Sequence, residues 1–456
     1  MLVAINPAIG QALSTYEMHS AEYVKCVLAE ASAAQRVWGA TALGHRCAKL
    51  FELAAVLRKH RDRYAQLITR EMGKPIVEAE AEIEKSATTC EFYGQMAPTH
   101  LGDISVPSNA ADSRVVFDPL GVVLAVMPWN YPFWQFIRFA APALAAGNGA
   151  ILKHANNVPG CAIALQEAFA EAGFPQGLVA TLLINASDVA GVLADERIAA
   201  VTLTESTAVG KLVAAQAGGL MKKQVLELGG SDPFIVLRDA DIAAAAQSAA
   251  KARFSNTGQS CISAKRFIVD ERVADDFVGA FAEAVRALKV GDPEQRDTQI
   301  GPMARENLRT DIHAQVERSI AEGASLVLGG QVMSGPGYFY APTILDHVQP
   351  HMTAAREETF GPVAAVIRVK GTDEAINVAN ATEFGLGASL WTGDLQRAQW
   401  LASRIEAGAV FINALVASDA RVPFGGIKQS GYGRELGDFG IREFTNIKTV
   451  WQGPNH

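Results

Sequence analysis

The spacing of apolar positions changes character along the chain. Over residues 20–38 and 42–72 apolar side chains recur at helical intervals, and in the second stretch Leu50, Leu53, Ala54, Leu57, Tyr64, Leu67 and Ile68 share a face. That spacing predicts two amphipathic helices. "MGKP" closes the second, since Gly73 suits a left-handed cap and Pro75 does not continue a helix. From Gly121 the period is lost. "GVVLAVMPW" is a short, uncharged, β-branched run, which predicts a strand buried on both faces of a parallel sheet. "GAILKH", "AAVTLT" and "KQVLEL" repeat it, separated by helical stretches such as "GCAIALQEAFAEAG". A second series runs from "DPFIVL" through "KRFIVD", an amphipathic stretch over 272–289 and "PVAAVIRV" to "AVFIN". This alternation predicts two α/β domains in series. The terminal "FTNIKTVW" reads as an alternating strand with no partner nearby in sequence.

Length and composition agree. The 456 residues exceed the roughly 250–300 at which one hydrophobic core stops growing, so two or three domains are expected. With 49% apolar and 19% charged residues the chain has the makeup of a packed globular protein. The net charge of −8 gives no electrostatic reason to bind nucleic acid or an acidic membrane. No apolar run reaches the roughly 18 residues of a spanning helix. The first basic residue is Lys25, after Glu17, so the N-terminus does not read as a secretory signal. Cys26, Cys47, Cys90, Cys161 and Cys261 form no paired or metal-type spacing. An odd, sparse set of this kind fits a reducing compartment, and a cytoplasmic location without a metal site is expected.

Chemistry concentrates in a few stretches. In "NTGQSCISAKRF" Cys261 sits among turn-forming polar residues, with Lys265 and Arg266 one turn on, a setting for a reachable thiol as much as for a structural one. Asn130 of "MPWNYPF" follows a buried strand and precedes a helix, where its amide either caps the helix or donates to a developing oxyanion. Glu227, between Leu226 and Leu228 in "VLELGGSDPF", is either an exposed strand-end carboxylate or a desolvated one with a raised pKa, suited to general-base work. Arg138 is the only charged residue between Asp118 and Lys153. Such a cation needs a partner, either a distant Asp or Glu or a substrate carboxylate. "TLTESTAVG" leads from a strand into a helix, where hydroxyls and amides can hold phosphate.

Taken in order, "PWN", "LKHANN", "TLTESTAVG", "LELGGSDP", "NTGQSC", "EETFGPV" and "PFGGIKQSGYGRELG" resemble the aldehyde dehydrogenase superfamily over essentially the whole chain. "REMGKP", "ELGGSDPFIVL" and "ASDAR" with the "FGGIK" segment are most similar to its short bacterial succinate-semialdehyde dehydrogenases. The resemblance implies a Rossmann-like dinucleotide-binding domain (1–110 and 126–231), an α/β catalytic domain (232–425) and a small β oligomerisation element (111–125 and 440–456). It implies that Cys261 attacks the aldehyde, that Asn130 and the cysteine's own N–H hold the oxyanion, and that Glu227 activates the water that hydrolyses the thioester. On this reading Gly258 lets the backbone approach substrate and nicotinamide, and a nearby cation or base lowers the thiol pKa. Cofactor contacts fall to Trp129, Lys153, Asn156, Ser206, Leu228, Glu358 and Phe360. Substrate contacts fall to Trp134, Arg138, Ser418 and Phe424.

Two departures from the family pattern stand out. Asn156 replaces a glutamate common in members strict for NAD, so NADP or NAD is expected, with NADP modestly favoured. Glu205 replaces a glycine beside the pyrophosphate and should weaken binding unless it points away or pairs with a cation. The expected function is NAD(P)-dependent oxidation of succinate semialdehyde to succinate by a homodimer or dimer of dimers. The alternatives are glutarate semialdehyde or another small aldehyde, and a cofactor-binding protein with little catalysis.

Overall fold

The computed structural model describes residues 1–453. Two large sheets dominate. The first has six strands in the order 431–432, 223–227, 198–204, 122–127, 149–154 and 179–181, parallel except for the outermost 431–432. Val122–Met127 at its centre is buried at every position, as its uncharged β-branched run requires. The second has seven strands in the order 325–328, 343–346, 363–369, 264–270, 232–236, 387–391 and 409–412, parallel apart from 325–328. An N-terminal hairpin pairs Leu2–Asn6 with Gln11–Tyr16.

The terminal strand finds a distant partner. Thr445–Gln452 runs antiparallel to Asp112–Pro119, which also pairs with Ile104–Ser105 in a separate three-stranded sheet. This corrects the expected boundary in that region. Val122–Ala125, placed with the oligomerisation element, lies in the middle of the six-stranded sheet, because a strand without charge is stable only when both faces are covered. Residues 454–456 of the expected C-terminal strand lie outside the described residues.

The helices follow the expected spacing with one break. Ala21–Gly39 starts on Ser20, whose hydroxyl accepts from the Tyr23 N–H. The expected helix over 42–72 is two, Leu43–Lys59 and Arg61–Met72, parted at His60 (φ −107°, ψ 17°). Each half keeps its own apolar face, so periodicity does not reveal the break. Arg61–Met72 ends at Gly73 with φ 82°, the left-handed cap "MGKP" predicts. The long helix Ile76–His100 then packs on Leu43–Lys59 and on Trp134–Ala145. Among the described residues no helix is long and apolar enough to cross a membrane.

The sheets meet at their ends. Met127, His154, Thr204 and Glu227 are the carboxyl-terminal residues of four neighbouring parallel strands, so "PWN", "ANN", "ES" and "LGG" emerge along one edge. That edge is where open α/β sheets receive ligands. Strands 232–236, 264–270 and 363–369 of the other sheet begin just after Gly230, Cys261 and Gly361. The carboxyl edge of one sheet thus faces the amino edge of the other.

Candidate active site

Between these edges lies a cavity of about 230 Å³ that brings together Trp129, Asn130, Ser206, Leu228, Cys261, Glu358 and Phe360. Glu205 and Arg305 also line it. Seven of the sequence-derived residues therefore share one space. Lys153 and Asn156 sit at the adjoining strand end, joined by a 3.0 Å bond from Lys153 Nζ to Asn156 Oδ1.

The loop carrying Cys261 is held in a costly conformation. Asn256, Thr257 and Gly258 take φ of 52°, 56° and 72° in succession, a left-handed run that non-glycine residues avoid. Several contacts fix it. Glu78 accepts from the Asn256 N–H at 2.7 Å, and Asn256 Nδ2 donates to the Asn130 carbonyl at 2.9 Å. Thr257 Oγ1 bonds the Gly301 backbone, and Arg253 donates to the Gly258 carbonyl at 2.6 Å. A Cβ on Gly258 would lie 2.3 Å from the Gly361 carbonyl oxygen. The glycine is therefore required by close backbone packing inside the protein.

Cys261 keeps part of its surface on the cavity but is otherwise enclosed. Burial pushes its thiol up to about 12, against the pull of Arg138 and Lys265. This corrects the expectation of a lowered pKa. The Lys265 ammonium donates to the carbonyls of Ser260, Cys261 and Ser263 at 3.0, 2.8 and 3.2 Å. It serves as a pin under the nucleophile's backbone.

Asn130 is buried and does not cap the following helix. Its Nδ2 donates to the Gln259 carbonyl at 3.0 Å, and its Oδ1 accepts from Gln135 at 3.1 Å. The capping belongs to Glu82, which accepts from the Phe133 and Trp134 N–H groups at 2.9 and 3.0 Å. With one N–H on Gln259 and the oxygen held by Gln135, the second N–H of Asn130 is oriented as a donor at the cavity.

Glu227 is fully enclosed, and neither carboxylate oxygen has a hydrogen-bond partner among the described residues. Burial and the nearby Glu435 carboxylate raise its pKa well above the ordinary range, while Arg138 opposes them. A Cβ on Gly425 would lie 2.7 Å from Glu227 Oε1, so that glycine makes room for the carboxylate. The exposed strand-end alternative is overturned.

Arg138 is not a free clamp. Its guanidinium is ion-paired with Glu435, lies 4.7 Å over the Phe424 ring and has Thr204 Oγ1 at 3.5 Å. The distant-carboxylate alternative describes it, because a buried guanidinium is stable only with its counter-charge in contact. Glu435 belongs to "GREL", far along the chain, and no local pattern joins it to Arg138.

Glu358 accepts from the Gly230 N–H at 3.1 Å and lies 3.6 Å from Lys265 Nζ. A Cβ on Gly229 would stand 2.5 Å from its Oε2, which ties the double glycine to this carboxylate. Phe360 meets Trp129 edge-on at 5.8 Å. Ser206 begins the helix Thr207–Gly219, yet its hydroxyl makes no capping bond. Glu205 has a physical account. Its Oε2 accepts from the Ser206 N–H at 2.7 Å, and its charge acts on Lys153 and Arg305. Arg305, which the sequence reading missed, lies 5.7 Å from the Trp129 ring centre. Two cations around the cleft therefore balance the carboxylate.

Lys85 was also missed, since one lysine on a mixed helical face carries no signal. Its Nζ donates to Ser418 Oγ at 2.7 Å and stands 4.2 Å over the Trp134 ring. It thus lies between two of the expected substrate contacts. Phe424 is buried beside Arg138, as an apolar wall should be.

Known proteins are similar over the same length of chain. A model of the aldehyde dehydrogenase family matches residues 2–450. The succinate semialdehyde dehydrogenase Sad of Escherichia coli (strain K12), named for NAD(P)+, is 48% identical over 450 residues, 99% of this chain and 97% of that protein. A probable succinate-semialdehyde dehydrogenase of Synechocystis sp. (strain ATCC 27184 / PCC 6803 / Kazusa), named for NADP+, is 50% identical over 450 residues and 99% of each chain. The structure of succinic semialdehyde dehydrogenase from Streptococcus pyogenes in complex with NADP+ is similar at TM-score 0.97 and 35% identity, covering 100% of both chains. A likeness that spans both sheets, the loop of Cys261 and the terminal strand has one reading: the chain belongs to the aldehyde dehydrogenase family.

Proposed function

We propose that this protein oxidises succinate semialdehyde to succinate with NADP or NAD, through a thioester on Cys261. The observation that carries the chemistry is the shared cavity of Cys261 and Asn130, with the unpartnered Glu227 carboxylate next to the strand-end glycines. The substrate rests on the named relatives and on the cation Lys85 beside the expected substrate contacts Trp134 and Ser418.

The family's dinucleotide fits the residues present. Among the described residues the Ser206 hydroxyl makes no capping bond at its helix start, and Lys153 has only the Asn156 amide as a side-chain hydrogen-bond partner. Gly229 leaves the space a side chain would fill beside Glu358. Lys153, Asn156, Ser206, Leu228, Glu358, Phe360 and Trp129 would hold the cofactor, and its nicotinamide supplies the hydride acceptor when bound.

The chain's own residues do the rest. As the Cys261 thiol gives its proton to Glu227, and through it to solvent, Sγ adds to the aldehyde carbon, and the oxygen takes its charge toward the Asn130 amide and the Cys261 N–H. Both the thiol and the Glu227 carboxyl are raised by burial, so Glu227 is a stronger base than an exposed carboxylate. It takes the proton from the water that hydrolyses the acyl–sulfur bond. Asn156 allows a 2′-phosphate or a 2′-hydroxyl, with NADP favoured modestly. The three-stranded sheet leaves Thr445–Gln452 as an edge, suited to pairing in a homodimer or dimer of dimers. A cytoplasmic location belongs to the same reading.

The test is steady-state kinetics on C2–C6 aldehydes and ω-carboxy aldehydes with each cofactor. Succinate semialdehyde should give the highest kcat/KM. A maximum at glutarate semialdehyde or at an uncharged aldehyde would replace the substrate, and no turnover on any aldehyde would overturn the reading.

A further inference from the structure

We infer that Lys85, seated between Ser418 and Trp134, is the residue that reads the far carboxylate of the substrate. This rests on the substrate reading above and names the group that carries its selectivity.

Two buried cations and the half-buried Lys85 lie on this side of the protein, and the two buried ones are already balanced. Lys74 is ion-paired with Glu82, and Arg138 with Glu435. Lys85 has no such partner among the described residues. The carboxylates that act on it are held elsewhere. Glu82 faces Lys74 and the Phe133 and Trp134 N–H groups. Asp419 accepts from Arg421 through both oxygens. A single uncompensated positive charge therefore remains.

Its placement follows from helix packing. Glu82 fixes Ile76–His100 to the first turn of Trp134–Ala145, and Lys85, nearly one turn further on, is thereby set against the Trp134 ring. An ammonium has three donors. Ser418 takes one and the ring shields a face, which leaves donor capacity for a carboxylate oxygen beside the serine hydroxyl. A neutral aldehyde has nothing to offer in return for desolvating this charge, so the site discriminates by what it leaves unpaired.

The same setting gives a pH signature. Lys85 is pulled down to about 8, mainly by burial and then by Arg138, with Lys74 adding and Asp419 and Glu82 opposing. The carboxylate needs the protonated ammonium. As pH rises through about 8 that form is lost, so KM for succinate semialdehyde should climb there, while KM for butanal should not follow.

The experiment compares wild type, Lys85→Met and Lys85→Arg on succinate semialdehyde and butanal, and measures inhibition of butanal oxidation by succinate. In Lys85→Met the kcat/KM ratio of succinate semialdehyde to butanal should fall about 10- to 150-fold, chiefly through KM. Succinate inhibition should weaken in parallel, the alkaline rise in KM should vanish, and Lys85→Arg should restore part of the ratio. Equal losses on both aldehydes, or an unchanged ratio in a folded variant, would overturn the inference. If wild type prefers butanal, the substrate reading fails by itself. Succinate inhibition then still decides Lys85, supporting it where Lys85→Met abolishes the effect and overturning it where inhibition persists.

Discussion

On one flank of Cys261 the wall consists of short runs at neighbouring strand ends: Trp129 and Asn130, Glu205 and Ser206, Leu228 and Gly229. The second flank, outside that lining, gathers single side chains from well-separated segments: Lys85 with Trp134 and Ser418, and Arg138 with Phe424 and Glu435. The first flank is set by backbone course, with glycines where a Cβ would collide. The second is set by charge pairing, in which each cation takes the role its partners leave it. A change on the first flank should therefore act on chemistry common to all substrates. A change on the second should separate residues that hold the fold from those that choose the aldehyde.

The largest effect belongs to the nucleophile between them. Cys261→Ala should lower kcat on every aldehyde by on the order of 10⁶-fold while leaving dinucleotide affinity nearly intact. Measurable steady NADPH production, with cofactor binding followed by fluorescence, would remove Cys261 from that role.

Glu227→Gln comes next and tests whether the unpartnered carboxylate is the base. Steady turnover should fall roughly 10²–10⁴-fold, with a pre-steady-state burst of reduced cofactor and an acyl-enzyme visible by mass spectrometry. In wild type, turnover should increase with pH beyond the ordinary carboxylate range, because the base form is gained only above the raised pKa. A profile that is flat from pH 5 upward, or a mutant without the burst, would assign the base elsewhere.

These two residues were legible because the family's chemistry needs them in short, ordered motifs. The paired sheets were legible too, since buried parallel strands write themselves as uncharged runs. What escaped depends on long-range juxtaposition. Nothing near Arg138 in the sequence indicates Glu435, and nothing near Lys85 indicates Ser418. Nor does local composition show that desolvation at Cys261 outweighs the cations beside it. His60 divides a helix whose two halves each keep their periodicity, so the pattern is silent there as well.

Arg138 tests the second flank from the structural side. Arg138→Leu leaves Glu435 buried without its counter-charge and adjacent to Glu227. Removing one member of such a pair costs about 3–5 kcal/mol of stability. The melting temperature should drop, and activity on succinate semialdehyde and butanal should decline together. A selective loss on succinate semialdehyde, with the melting temperature unchanged, would instead make Arg138 a substrate contact and erase the contrast with Lys85.

The smallest effect lies at the outer end of the first flank. Asn156 is exposed, and its Oδ1 accepts from Lys153 Nζ at 3.0 Å. Asn156→Glu would convert that neutral contact into an ion pair, drawing the lysine's charge away from a 2′-phosphate and placing a like charge near it. Solvent screens both parts of the change, so the shift in preference toward NAD should be only about 1 kcal/mol, roughly fivefold in the ratio of dissociation constants. Added salt should shrink it, because exposed charges more than about 10 Å apart are largely screened at 0.1 M. Fluorescence titration of NADP and NAD at two ionic strengths separates the cases. A ratio that moves and then relaxes with salt supports 2′ recognition at this strand end. A ratio that stays fixed at both ionic strengths would place that recognition on another residue of the same edge.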